Sequence, residues 1–519
     1  MNHEAEAFAR HYKLSRNVSI ILGILFVVVV LLLVSFSLLY VSYRTSVDSY
    51  RSSILLGKTD DNIISIKGLE LPDNTSNIVK PLNNANLISV VAKNQPAVVR
   101  ILTIRCADII LKLDSDIDNK DVCTAGVGSG SIISSDGYIS TNGHVIDLPD
   151  HSLVSQSITS VSKYSEILEY LYSQKLISYD MASGYLRDLS DNNKMQDAAT
   201  SIVKLIPKDR IILSNQNTTY SVQISNEPVR LDTSRSRMSV RLADSIKEAK
   251  FIDKDFNLES AEQALAQGKG FDSSDVALLK IDGDYPYINL GTINNLSLGD
   301  QLIAIGYPAF VDGSVDTSKW QTVPSVTQGI VKKIGEDSSV GSRKLIISDV
   351  QVAQGSSGGP ALDINGNQIG LNTYANIECA DLMCFGDATI RDIADIKALL
   401  DKNNIVLKKD SAINEHWYAA LKSYNEGDFV SALSDFEWIE DNYSYNYLSS
   451  SLAKTTRSQL GTSADISPKF ASLSNIYQIS IIVLSVFVMM VAVSISLVRY
   501  INVRHRSILL QMNNKNISR

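Results

Sequence analysis

The stretch V-G-S-G-S-I-I-S-S-D-G-Y-I-S-T-N-G-H-V, residues 127–145, decides the fold. Residues 127–133 and 137–142 are short runs with β-branched side chains, and the Ser-Asp-Gly between them supplies the backbone angles of a tight turn. The second run leads directly into His144. Upstream, V-V-R-I-L-T-I-R (98–105) has the same texture. Downstream, short strands are expected at 210–213, 220–224, 238–242, 276–281, 301–305, 326–334, 344–350 and 368–373. Many short strands with Gly-rich turns predict a mainly β barrel or sandwich. No internal repeat is visible in the sequence of this region.

Two segments break the pattern. In 152–206, Val154, Ile158, Val161, Leu168 and Leu171 recur at helical spacing, and Ala199, Ile202, Val203 and Ile206 repeat it before Pro207. This predicts an α-helical insertion. In 411–468, Trp417, Leu421 and Tyr424 share a helix face, Gly427-Asp428 makes a turn, and Ala432, Phe436 and Ile439 share the next face. The segment reads as a helical hairpin, either a single tetratricopeptide-like unit or an ordinary pair of helices. Residues 44–87 are rich in Ser, Asn and Asp and read as a stalk.

The chain has 519 residues, 45% of them hydrophobic, and a net charge of −8. Such a length suggests about three folded units. Charge is absent from 27 residues, Asn17–Tyr43, and from 29 residues, Phe470–Val498. Each run exceeds the roughly 20 residues that cross a bilayer as a helix, so transmembrane helices are expected at 18–43 and 470–498. A cleaved signal peptide ending near Ser35 and Ser37 is the alternative for the first. Of the net −8, residues 1–17 carry +1 and residues 499–519 carry +5, which leaves −14 on 44–469. So acidic a middle excludes a nucleic-acid partner. Arg499, Arg504, Arg506, Lys515 and Arg519 follow the second run, against Arg457 and Lys469 before it. Basic flanks stay cytoplasmic, so both tails, 1–17 and 499–519, are expected inside and 44–469 outside. The four cysteines suit that oxidising side. Cys106 lies near Cys123 and Cys379 near Cys384, so local pairing is the cheapest of the three connectivities.

The chemistry concentrates at Gly355-Ser356-Ser357-Gly358-Gly359-Pro360. A serine hydroxyl becomes a nucleophile only when a base removes its proton, and the oxyanion it creates needs preorganised donors. Flanking glycines admit a substrate and let backbone N–H groups converge. His144 follows a strand, and Asp275 heads the apolar run V-A-L-L-K (276–280). The order His, Asp, Ser is one of the known arrangements of a catalytic triad. Asp272 is the rival acid; Asp275 is preferred because it directly precedes the strand. There is no Cys/His metal spacing and no phosphate-binding Gly loop, so no cofactor is expected.

Residues 88–400 resemble the HtrA/Deg branch of trypsin-like serine proteases. The segments that carry the likeness are 127–145, S-D-V-A-L-L-K-I-D (274–282), L-G-D-Q-L-I-A-I-G-Y-P (298–308), V-T-Q-G-I-V (326–331) and Q-G-S-S-G-G-P-A-L-D-I-N-G-N-Q-I-G-L-N-T (354–373). The resemblance implies a chymotrypsin-like pair of six-stranded β-barrels with the site in the cleft between them. It implies His144 as general base and then acid, Asp275 as its orienting group, Ser357 as nucleophile, and the N–H groups of Gly355 and Ser357 as the oxyanion hole. Aligned on the nucleophile, Gln351 falls at the base of the specificity pocket, where an uncharged amide favours small or medium apolar side chains. Three departures stand out: Ser356 where the branch usually has Asn, no PDZ-like segment, and the long insertion. The insertion is expected either to control access to the site or assembly, or simply to pack on the barrel wall.

The expected protein is thus a membrane-anchored extracytoplasmic serine endopeptidase acting on unfolded or exposed protein segments. The family resemblance implies a homo-oligomer, a trimer. The competing class is a non-catalytic scaffold that keeps a protease fold.

Overall fold

The computed structural model describes residues 84–517 except 159, 192–193, 228, 230, 233–236, 242, 267–272, 309–321, 338–342, 376–377, 381–382, 386 and 463, together with 10, 13, 14, 17, 18, 20–35, 37 and 38. Most of the stalk therefore lies outside the described residues.

Strands β1 (Val98–Leu111), β2 (Ile117–Ile132), β3 (Tyr138–Thr141), β4 (Ile211–Gln223), β5 (Ile246–Asp255) and β6 (Val276–Lys280) close one barrel in the order β1-β2-β3-β6-β5-β4. Strands β7 (Gln301–Gly306), β8 (Ser325–Asp337), β9 (Arg343–Ser348), β10 (Pro360–Leu362), β11 (Gln368–Ala375) and β12 (Ala388–Asp392) close the other in the order β7-β8-β9-β12-β11-β10. The two orders are the same circuit. All pairings within them are antiparallel. Closure leaves no unpaired edge within either sheet. The expected double six-stranded barrel is present, with a repeat of topology that the sequence does not display.

Leu302, Val331, Ile346, Ala361, Ile369 and Ile390 fill the second barrel. The helix Ile393–Lys402, capped by the Asp392 carboxylate accepting from the Ala394 N–H at 3.0 Å, packs Ile396, Leu399 and Leu400 against Ile133, Val276 and Leu278 of the first barrel and Leu371 of the second. That seam fixes one barrel on the other.

The insertion is helical, with Asp150–Ser157, Val161–Ser173, Tyr179–Leu189 and Met195–Lys204. Its expected stripes are buried at Val154, Ile158, Leu168, Leu171, Ala199, Ile202, Val203 and Ile206. Val161 is instead exposed, because it is the first residue after the Ser160 cap and precedes the turn that packs. The stripes bury against Ala107, Ile109 and Leu111 of β1 and Ile117 of β2, the far ends of unusually long strands. The insertion thus has a core of its own on a β platform.

Helices Ala412–Glu426, Phe429–Asn442 and Tyr447–Gln459 occupy the expected hairpin segment, one helix more than a hairpin. Trp417 and Phe436 pack at 5.8 Å between ring centroids, as their shared-face spacing implies. Of the two expected membrane spans, the described residues contain one candidate, and part of 18–43 lies outside them. Ile479–Arg504, within the helix Pro468–Ile517, is the single helix among them long and apolar enough to cross a membrane, whereas Ile20–Ser35 is a shorter apolar helix.

Candidate active site

His144 sits in the single turn Gly143–Ile146 that follows β3. Asp275 sits just before β6, and the two strands pair from Tyr138↔Lys280 to Thr141↔Ala277, so the ends of neighbouring strands carry the two side chains to one place. His144 Nδ1 lies 2.8 Å from Asp275 Oδ2, and the His144 backbone N–H donates to Asp275 Oδ1 at 2.9 Å. The carboxylate thus holds both the ring and the main chain of one residue. Burial alone would lower the His144 pKa, but the charge and hydrogen bond of Asp275 outweigh it and raise it above 6.5. Side-chain exposure is 37% for His144 and 3% for Asp275, so the imidazole has an open face while its partner is enclosed.

Asp275 adopts φ 54°, a left-handed conformation that costs energy for a residue with a Cβ. A network around Asp255, the last residue of β5, holds it there. The Asp275 N–H donates to the Asp255 carbonyl at 2.9 Å, and Ser274 donates its hydroxyl to Asp255 Oδ2 at 2.5 Å. Arg343 of β9 reaches the same carboxylate oxygen at 2.7 Å. Burial would raise the Asp255 pKa, yet these hydrogen bonds and the Arg343 charge hold it below the usual range. Asn142 completes the support, donating to the Asp275 carbonyl at 2.8 Å and to Thr373 Oγ1 at 3.1 Å. The rival Asp272 lies outside the described residues.

Ser357 stands between two turns ahead of β10. In the first, the Ser356 N–H donates to the Ala353 carbonyl at 2.9 Å and Gly355 has φ +92°, the angle required at the third position of a type II turn. In the second, Gly358 has φ +84°, and a Cβ there would collide with Thr141 Oγ1 and the Ser129 carbonyl. Among the described residues, neither the Gly355 nor the Ser357 N–H has a protein acceptor, so both are available to an oxyanion. The Ser357 hydroxyl donates to the Thr373 carbonyl at 2.9 Å.

Ser129 of β2 clamps this loop from the first barrel. Its N–H donates to the Ser357 carbonyl and its hydroxyl to the Gly355 carbonyl, both at 2.8 Å, while the hydroxyl accepts from the Tyr307 N–H at 2.8 Å. Sequence reasoning passes over Ser129, Asp255, Ser274 and Arg343. For Ser129 alone a signal exists, the glycines on either side of it in a strand. Gln351 is exposed, and its carbonyl accepts from Thr327 Oγ1 at 2.7 Å. Cys106 and Cys123 face each other across the β1–β2 ladder with sulfurs 2.06 Å apart. The backbone register sets Cys379 opposite Cys384 in a small ribbon, and their side chains lie outside the described set.

A trypsin-like peptidase domain model matches residues 206–371, which include Asp275 and Ser357. A probable periplasmic serine endoprotease, DegP-like, of Pseudomonas putida (strain W619) is 34% identical over 153 residues, 28% of each chain. A DegP-like counterpart from Brucella suis biovar 1 is 36% identical over 104 residues, 19% of this chain and 18% of its own. Over this part the chain is similar to trypsin-like peptidases and to DegP-like serine endoproteases, and its two six-stranded barrels fit that likeness. The likeness spans only 28% of the length of the Pseudomonas relative. His144 and Asp275 lie at strand ends of the first barrel, and Ser357 lies just ahead of β10 of the second. Among the described residues no group of His, Cys, Asp and Glu is arranged to hold a metal ion.

Proposed function

We propose that this protein is a membrane-anchored serine endopeptidase that cleaves unfolded or exposed polypeptide segments outside the cytoplasmic membrane. The observation that carries the reading is the His144–Asp275 pair, set across the interbarrel seam from a glycine-framed serine with two unspent N–H groups. In this reading the Ser357 hydroxyl, which donates to the Thr373 carbonyl in the structure, turns from it and gives its proton to Nε2 of His144, whose other nitrogen is held by Asp275. Ser357 Oγ then attacks the substrate carbonyl, and the resulting oxyanion is received by the Gly355 and Ser357 N–H groups. His144 returns the proton to the departing amine, leaving an acyl-enzyme. A water deprotonated by His144 hydrolyses that ester and restores Ser357.

Anchoring is supported by Ile479–Arg504, where Ile482, Val483, Met489 and Val493 are each at least 60% exposed. Such an apolar surface is stable in hydrocarbon rather than in water. We infer a second span at 18–43, with both tails cytoplasmic, from the charge-free run and from the basic residues after 498. The relatives described as periplasmic support the outside placement of the protease domain. Gln351 offers no charge to a cationic side chain, which favours apolar residues before the scissile bond. Labelling by a fluorophosphonate tests the reading: the wild-type chain is expected to react and Ser357→Ala to remain unlabelled. An unlabelled wild type would favour the scaffold.

A further inference from the structure

Arg100 is 1% exposed and is the charged member of an otherwise apolar row. Side chains alternate along a strand, so Leu102, Ile104 and Cys106 share its side of β1, and these three pack in one apolar cluster with Val229 and Ile246. Taking a guanidinium out of water is costly unless something offsets it. One offset is the ring of Tyr307, whose centroid lies 4.8 Å from Arg100 Cζ, a cation over a π face. Tyr307 is itself 3% exposed. Burial raises its pKa and the Arg100 charge draws it back, so the guanidinium also acts on the hydroxyl end of the ring.

Arg100 stands directly opposite Ser129 in the β1–β2 ladder. Tyr307 follows β7, and its N–H donates to the Ser129 hydroxyl at 2.8 Å. That hydroxyl donates its own proton to the Gly355 carbonyl, also at 2.8 Å. The peptide so held lies between the two that carry the Gly355 and Ser357 N–H groups, so fixing it sets the angle between those donors. Gly306, just before Tyr307, runs so close to the nucleophile loop that a Cβ there would lie 3.0 Å from Ser356 Cα. In packing this tight a shift of Tyr307 is passed on to the loop. We propose that Arg100 and Tyr307 are positioning residues for the oxyanion hole: the cation locks the tyrosine, the tyrosine locks the Ser129 hydroxyl, and Ser129 keeps the Gly355 and Ser357 N–H groups aimed at one spot. The proposal rests on the protease reading and says what aims the donors.

The test uses the full chain, a fluorogenic peptide spanning a mapped casein cleavage site, and fluorophosphonate labelling run to completion to count competent sites. Arg100→Met removes the charge and keeps a long side chain. Because the donors act on the oxyanion rather than on bound substrate, its kcat per labelled site is expected to fall about tenfold while KM stays within about twofold of wild type. Arg100→Lys keeps a smaller cation over the ring and is expected to lose only about threefold. Ser129→Ala removes the clamp, and adding either Arg100 change to it is expected to slow the enzyme by no more than about a further 1.5-fold, since the pair acts through that hydroxyl. A merely structural role would lower the number of labelled sites and leave kcat per site unchanged, and that result overturns the proposal. Full multiplication of the Arg100 and Ser129 losses overturns it too. If Arg100→Met does not fold, Arg100→Lys decides by the same two readouts. A wild type that neither labels nor cleaves would instead overturn the protease reading, and this proposal with it.

Discussion

At His144, burial and the Asp275 carboxylate pull in opposite directions, and the carboxylate wins. Because a general base must be neutral, kcat/KM is expected to rise with pH through a midpoint above the ordinary 6.5. Asp275→Asn removes the charge that raises this pKa, leaving burial to lower it. A pH–rate profile should therefore show both a slower enzyme and a midpoint moved to lower pH; an unmoved midpoint would contradict the assignment of the pair. Gly358→Ala tests the nucleophile loop. Its Cβ would demand a left-handed backbone and collide with Thr141 and Ser129, so a loss of about 1–3 kcal/mol in denaturant unfolding is expected, together with loss of cleavage. The meeting of His144 and Asp275 is legible in the sequence because each heads or follows a strand and their order with Ser357 is distinctive. Arg343 is not legible, since it acts from a distant strand and leaves no pattern in neighbouring residues, and Ser129 shows only in the glycines that flank it.

Among the elements, β5 is hidden in the sequence by its charge. Its I-K-E-A-K-F-I-D-K-D carries charge at six of its ten positions because one side faces solvent, so it reads as neither apolar run nor clean alternation. β10 and β12 are hidden by brevity. The expected strands 210–213 and 220–224 are one strand, β4, since the polar residues Ser214–Thr219 between them continue the ladder with β1 through an irregularity. The long β1–β2 ladder that supports the insertion carries Cys106 opposite Cys123. Their bond closes a short loop, and replacing both by Ser is expected to cost about 2–3 kcal/mol in unfolding under oxidising conditions. No difference from wild type would mean that the thiols are unpaired in solution.

For the molecule as a whole, two barrels with one circuit of strands share the work, and the helix Ile393–Lys402 joins them. Asp395 lies in that joint, near Arg343 at 3.5 Å, with its Oδ2 lacking a partner. Burial raises its pKa to about 6 despite Arg343. A carboxyl that holds its proton more tightly when folded contributes stability below its unfolded pKa, and that contribution is lost as pH rises through about 6. Asp395→Asn, which cannot ionise, is therefore expected to raise Tm relative to wild type at pH 8 and to change it little at pH 4. Equal shifts at both pH values would contradict this.

The central claim is that Ser357, activated by His144, cleaves polypeptide. The most direct measurement is the rate of casein cleavage by the purified full-length chain and by its Ser357→Ala variant, with folding of both verified by thermal unfolding. Cleavage by the wild type and a fall on the order of 10⁴-fold or more in the variant are expected. Ordinary cleavage by a folded Ser357→Ala protein would contradict the account.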